Sequence, residues 1–123
     1  MRVELSNEIE PDLYISVHVN YWKVSTTSGT ETHYYPDPSD TRGKQFASLV
    51  QKALIQEFGT KDRGLKDGSG LVVLNSTTSL AILIETGFIS NEGDRSKLIA
   101  ADYATRFADV IYGCIVKYFE GVA

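Results

Sequence analysis

Polar and apolar residues alternate along LYISVHVN, the stretch at residues 13–20. Successive side chains of a strand point to opposite faces, so this pattern predicts a β-strand over residues 12–19. One face of that strand is apolar, and the other carries Ser16, His18 and Asn20. The short polar segment before it is interpreted as the end of a helix that stops before Pro11.

Two further elements are predicted before residue 60. TETHYY at residues 30–35 alternates and contains β-branched and aromatic residues, which indicates a second strand, near the edge of the sheet and stopped by the prolines that follow it. Apolar residues then recur at helical spacing up to Phe58. This predicts one amphipathic helix, with Ser39 as its N-cap and Gly59 as its C-terminal cap.

The second half of the chain continues the alternation of strands and helices. KDRGLKDGSG, residues 61–70, is predicted to be a polar loop, and LVVL at 71–74 a short buried strand. LAILIE at 80–85 is almost wholly apolar, as expected of a central strand covered on both faces. An apolar stripe from Leu98 to Tyr118 predicts one long closing helix. Together these elements predict a single α/β domain whose mainly parallel sheet is flanked by helices.

Composition and charge narrow the classes of partner. The formal net charge of −4 over 123 residues, without a long run of basic residues, argues against nucleic acid as a partner. No apolar run approaches the roughly 20 residues that span a bilayer, so no transmembrane segment is predicted. Cys114 is the single cysteine, which excludes an internal disulfide and a cysteine-rich zinc site. The number of copies in an assembly is not encoded in these features.

Two ionisable side chains occupy equivalent places on the predicted strands. His18 lies at the carboxyl end of the first strand, and Glu85 lies at the carboxyl end of the central one. Ligands of parallel α/β sheets bind beyond those ends, and an imidazole beside a carboxylate suits zinc chemistry. The alternatives are a solvated strand face for His18, and for Glu85 a turn cap or an ion pair with Arg63 or Arg95.

Three more residues are candidates with a common structural alternative. Glu31 and His33 share one face of the second predicted strand and are candidate additional ligands, although polar residues are also usual near a sheet edge. Arg63, in the predicted loop, is a candidate for binding an anionic group of a substrate, although loop arginines are commonly only solvated.

Four segments in series resemble one enzyme family. PDLYISVHVN, GTETHYY, DRGLKDGSGLVVLN and LAILIETGFISNEGD match, in order and rough spacing, the zinc-dependent N-acetylmuramoyl-L-alanine amidases of bacterial cell-wall turnover, phage lysis and sporulation. The resemblance implies hydrolysis of the amide between N-acetylmuramic acid and L-alanine in peptidoglycan, outside the cytoplasm. It implies that His18 is a zinc ligand and Glu85 the catalytic glutamate. Asn20, Arg63 and Asn91 are then expected near the substrate or behind the ligands.

One part of the family pattern is missing. The family's first strand supplies a histidine ligand, with a glutamate ligand shortly after it, and residues 1–123 contain neither. We therefore expect an amidase-like catalytic domain that is incomplete at its N-terminus by about one strand–helix unit. The remaining ligands would come from a longer protein or from another chain. The alternative is a metal-free relative, a peptidoglycan-binding or accessory module with the amidase fold.

Overall fold

The computed structural model describes residues 1–121, which form a four-stranded sheet between two layers of helices. The elements, in chain order, are α1 (Arg2–Ile9), β1 (Leu13–Asn20), β2 (Thr30–Tyr34), α2 (Arg42–Phe58), β3 (Asp62–Asp67), α3 (Val72–Asn75), β4 (Leu80–Phe88), α4 (Glu92–Leu98) and α5 (Tyr103–Phe119). In the described part of the chain, no helix is long and apolar enough to cross a membrane.

The strand order in the sheet is β1-β4-β2-β3. β1 runs parallel to β4, and β2 runs parallel to β3, while β2 and β4 are antiparallel. The prediction of an α/β fold with a mainly parallel sheet flanked by helices is confirmed. β2, which was predicted near the edge, is an interior strand because β3 covers its outer side.

The main core lies between one face of the sheet and the two long helices. Ile82 and Ile84 of β4 are fully buried there, against α2 residues such as Phe46 and against Cys114 of α5. Residues of β4 with the opposite parity point to the other face of the sheet. Ala81 and Leu83 form a smaller core on that face with Leu74 of α3.

Two predicted elements have a different structure. Residues 62–67, predicted as loop, form β3, because an edge strand is held by backbone hydrogen bonds to its one neighbour and can carry polar side chains. Residues 71–74, predicted as a strand, wind into the single turn of α3, where the Leu74 N–H donates to the Leu71 carbonyl at 3.0 Å. This turn places the Leu74 side chain on the smaller core.

The helix and strand boundaries also differ in three places. The predicted closing helix is two helices, α4 and α5, and Leu98 belongs to the first. α2 begins at Arg42, after Thr41, and not next to Ser39. β4 continues to Phe88, so Glu85 lies three residues before the end of its strand.

Candidate active site

Ionisable side chains form a row across three adjacent strands. His18 of β1 is paired in register with Glu85 of β4, and Glu85 is paired with Glu31 of β2. Neighbouring strands lie about 4.8 Å apart, and paired residues point to the same face. The two residues that were predicted to lie together from their places on separate strands, His18 and Glu85, are therefore direct neighbours.

A register shift extends the row to β3. The pairing of β2 with β3 moves by one residue between Thr30 and Thr32, where Gly64 has a φ of 75°. The extra residue is typical of a β-bulge, which re-aims a side chain. Here the Arg63 Nε donates to Glu31 Oε1 at 2.8 Å. The structure thus brings together His18, Glu85, Glu31 and Arg63, and adds His33 two residues after Glu31.

Glu85 has an unusual environment for a carboxylate. Its Oε2 atom is buried and has no hydrogen-bond partner among the described residues. Burial raises the pKa of Glu85, the neighbouring Glu31 raises it further, and His18 and His33 oppose the increase. Of the proposed ion-pair partners, Arg63 binds Glu31 instead, and Arg95 donates to the Ile89 carbonyl at 3.0 Å. A partly buried carboxyl group with a raised pKa is suited to accepting and releasing a proton.

His18 presents an exposed imidazole beside that carboxylate. Its Nε2 atom lies 3.0 Å from the Ser16 hydroxyl, which is on the same face of β1. The Thr86 hydroxyl donates to the His18 carbonyl at 3.0 Å, which fixes the backbone of β1 against β4. The imidazole is therefore on a firmly held strand, with its ring open to solvent and to a ligand.

Glu31 is a buried carboxylate with two partners. His33 Nε2 lies 2.7 Å from Glu31 Oε2, and Arg63 occupies the other oxygen. Burial alone would raise the pKa of Glu31, but the hydrogen bonds from Arg63 and His33 outweigh it, so this pKa lies below its usual value. Both oxygens of Glu31 are engaged, whereas the buried Nδ1 atom of His33 has no partner among the described residues.

The side chains of the row do not by themselves make a metal site. Within residues 1–121 no three histidine, cysteine, aspartate or glutamate side chains are placed to hold one ion. A catalytic zinc site uses three protein ligands. Glu31 is already neutralised by Arg63, so a zinc ion bound by His18 would need donors from outside the described residues.

Asn20 and Asn91 lie close to the row and have local partners. The Asn20 side-chain oxygen accepts from the Tyr21 N–H at 2.9 Å. The Asn91 oxygen accepts from the Asp94 N–H at 2.9 Å and caps α4, while its amide donates to the Ser25 carbonyl. The Asn91 amide thus holds the loop after β1 against the start of α4, and the Asn20 carbonyl accepts from the Ile89 N–H at 2.9 Å, which ties the end of β1 to the segment after β4.

Asp94, which the sequence places near the start of the closing helix, has a second structural role that the sequence did not predict. Its Oδ2 atom accepts from the backbone N–H groups of Gly29 and Phe88 at 2.8 and 2.9 Å, and only 5% of the residue is exposed. It joins the start of β2 to the end of β4. The signal in the sequence is Asn-x-x-Asp directly after a strand, which is a helix-capping pattern.

Comparison with known proteins gives one consistent family. The sequence profile described as "N-acetylmuramoyl-L-alanine amidase" matches residues 1–117. N-acetylmuramoyl-L-alanine amidase LytC of Bacillus subtilis (strain 168) is 34% identical over 119 residues, which are 97% of this chain and 24% of LytC. An endolysin of Bacillus phage SPP1 is 34% identical over 106 residues, which are 82% of this chain and 37% of the endolysin.

Similarity to solved structures indicates the same family. The catalytic domain of CwlV, an N-acetylmuramoyl-L-alanine amidase from Bacillus(Paenibacillus) polymyxa var.colistinus, superposes with a TM-score of 0.85 at 30% identity, covering 97% of this chain and 64% of that domain. The chain thus spans less than two thirds of the proteins it matches. The match of the family profile along almost the whole chain is confirmed by the fold, and the chain belongs to the N-acetylmuramoyl-L-alanine amidase family.

Proposed function

We propose that this chain carries the proton-transfer part of an enzyme that hydrolyses the amide between N-acetylmuramic acid and L-alanine in peptidoglycan. Family membership supports the reaction, and the observation that carries the assignment of residues is the pairing of His18 with Glu85. The carboxylate of Glu85 is partly buried, has one oxygen without a partner within residues 1–121, and faces an open imidazole. Glu85 is the residue that would take a proton from the attacking water and deliver it to the leaving amine.

The remaining residues of the row have supporting roles in this proposal. Arg63 neutralises Glu31, so that Glu85 does not lie beside an uncompensated negative charge. Asn91 holds the loop after β1 in place, and in this proposal Asn20 and Asn91 contact the substrate or support the residues that do. Arg63 is 28% exposed, so part of its guanidinium is also open to a carboxylate of the stem peptide.

We also propose zinc as the metal of the complete enzyme, with His18 as one of its ligands. When bound, zinc would polarise the scissile carbonyl and activate water. In this assignment the described residues supply His18 alone, so the other ligands are assigned to polypeptide other than residues 1–121. Glu31 and His33 are the alternative ligands, and using them would require Glu31 to give up Arg63. The proposed place of action is the cell wall or periplasm, where peptidoglycan lies.

The experiment is an assay of purified muropeptide for a newly released L-alanine amino group. The 123-residue chain is tested alone and with zinc, and its zinc content is measured by elemental mass spectrometry. The matched variants are Glu85→Gln and Glu57→Gln, because Glu57 is a half-exposed glutamate that pairs with Arg106 on α5, outside the row. With zinc and with polypeptide that supplies the remaining ligands, we expect amide hydrolysis that Glu85→Gln abolishes and Glu57→Gln leaves intact.

Two outcomes would contradict the proposal. Full activity of the Glu85→Gln variant would exclude Glu85 as the proton carrier. Tight binding of muropeptide without hydrolysis, in the presence of zinc and of the additional polypeptide of a longer relative, would identify the chain as a peptidoglycan-binding module.

A further inference from the structure

The loop that follows β1 exposes two large aromatic side chains. We call residues 21–24, with the sequence YWKV, the aromatic loop. Tyr21 is 67% exposed and Trp22 is 50% exposed. Exposed aromatic side chains that stand together on a surface mark a binding site more often than chance. The row of ionisable residues does not account for them.

The backbone of the aromatic loop is fixed from both sides. The Trp22 N–H donates to the Ser90 hydroxyl at 3.0 Å, and the carbonyl of Ser25 accepts from the Asn91 amide at 2.9 Å. The Ile89 N–H donates to the carbonyl of Asn20 at 2.9 Å, just before the loop. Because the backbone is already held, a ligand that binds the aromatic rings does not have to order the loop.

The loop also lies close to the proposed reaction centre. Trp22 is four residues after His18, so their Cα atoms are at most about 14 Å apart. Ser90 and Asn91, which hold the loop, follow Glu85 on the same chain segment. In the proposed substrate, the lactyl group that carries the scissile amide is attached directly to a sugar ring. If His18 and Glu85 act on that amide, the sugar ring attached to it lies within reach of this loop.

We propose that Tyr21 and Trp22 form a platform that binds a sugar ring of the glycan strand. The inference rests on the proposed function and identifies which part of the substrate this rim contacts. N-acetylhexosamine rings present C–H groups on their faces and hydroxyls on their edges. Those faces pack on aromatic rings, while the Tyr21 hydroxyl and the Trp22 indole N–H can bind the edges.

The size and charge of the loop favour a sugar over a protein partner. A stable protein interface covers about 800 Å² on each partner, which is far more than a four-residue loop provides. Lys23 Nζ lies 5.9 Å from the centroid of the Trp22 ring, over one face of the indole. The opposite ring face is then the one available for stacking, and Lys23 adds a positive charge that can attract the lactyl carboxylate once the amide has been hydrolysed.

The test uses Trp22 as its own probe, because it is the single tryptophan of the chain. Its fluorescence is followed while the disaccharide N-acetylglucosaminyl-N-acetylmuramic acid, without a stem peptide, is added to the 123-residue chain. The disaccharide has no scissile amide, so binding is measured without turnover. We expect a saturable shift of emission, and a Kd that Tyr21→Ala raises about three- to tenfold.

The matched control is Tyr112→Ala. Tyr112 is 69% exposed on α5, the helix that packs on the main core through Cys114 and carries no part of the aromatic loop. Its removal should leave the Kd unchanged. Both tyrosines are largely exposed, so neither substitution is expected to disturb folding. Circular dichroism of each variant checks this point.

Three results would overturn the platform. The first is that free stem peptide shifts the emission while the disaccharide does not. The second is an unchanged Kd in Tyr21→Ala. The third is a shift that depends on protein concentration alone, which would indicate that a second copy of the chain binds the loop. The proposed function is judged separately, by release of the L-alanine amine. With zinc and the additional polypeptide present, sugar binding without amide hydrolysis would keep the platform and refute the reaction, and hydrolysis with an unaffected Tyr21→Ala variant would do the reverse.

Discussion

Removing the positive charge of Arg63 is expected to destabilise the fold, because it leaves Glu31 buried with a weaker partner. The Glu31 side chain is 9% exposed, and its two oxygens are bound by Arg63 and His33. Breaking a buried ion pair by removing one partner typically costs about 3–5 kcal/mol. Arg63 is partly exposed and His33 remains, so for Arg63→Met we expect a loss of about 2 kcal/mol in the free energy of unfolding.

The assay is urea unfolding at neutral pH, with thermal unfolding as a second measure. The entropy of unfolding of a 123-residue domain is about 0.26 kcal/mol/K, so 2 kcal/mol corresponds to a fall in Tm of about 8 °C. The control is Arg42→Met. Arg42 is 64% exposed in its pair with Asp40, and an exposed pair of this kind contributes about 0.5 kcal/mol or less.

The pH dependence separates charge from packing, since Arg63 also lies over the Phe88 ring at 5.0 Å. The pKa of Glu31 is lowered in the folded protein, so its stabilising contribution is present above the unfolded value near 4.5 and is lost as the pH falls through the folded value. The difference between wild type and Arg63→Met should therefore shrink below about pH 4. An equal loss at pH 7 and in acid would refute the ion-pair explanation and assign the effect to packing.

Three further changes test other parts of the structure. Burial raises the pKa of Glu85, so ionisation of this carboxyl group opposes folding above about pH 4.5. Glu85→Gln should therefore raise Tm at pH 7, and this gain in Tm should vanish in acid. A lower Tm at pH 7 would contradict the explanation. Gly29→Ala should lower the free energy of unfolding in urea by about 1–3 kcal/mol, since the φ of Gly29 is 118° and a Cβ atom would lie 2.5 Å from the Lys61 carbonyl oxygen. The control Gly43→Ala, in open space on α2, should be neutral or stabilising. Asp94→Ala should cost about 2–4 kcal/mol by leaving two buried N–H groups unpaired, and amide hydrogen exchange at those two groups should quicken; unchanged exchange would rule out the proposed link between β2 and β4.

The strands that sequence patterns predicted well are β1 and β4. β1 alternates strictly and packs Leu13 and Ile15 on the main core, although Val17 and Val19 are half exposed, and β4 is an apolar run in which Ile82 and Ile84 are fully buried. β3 could not be predicted in this way, because an edge strand can have a polar composition and still be held by its neighbour's backbone. α3 was not predicted because Val72 and Val73 favour a strand locally. The packing of Leu74 on the sheet stabilises a helical turn instead.

The candidate site was predictable only in part. Placing His18 and Glu85 at the ends of parallel strands was enough to predict that they are neighbours, and the register confirms it. The approach of Glu31 to Glu85 was not predictable, because β2 runs antiparallel to β4 and the pairing is set by contacts distant in sequence. The β-bulge that brings Arg63 to Glu31 is likewise a property of the assembled sheet.

These two features explain how a row of charges can exist inside a small sheet. Antiparallel pairing brings Glu31 to Glu85, which raises the pKa of Glu85 beyond what burial does. The bulge then supplies Arg63, whose charge is opposite and whose Nε binds Glu31 directly. Because Glu31 is satisfied by Arg63 and His33, Glu85 is the carboxylate of the row whose Oε2 atom has no hydrogen-bond partner among the described residues. His18 and His33 oppose the rise in the pKa of Glu85, so the imidazoles beside it help to keep Glu85 able both to accept and to release a proton.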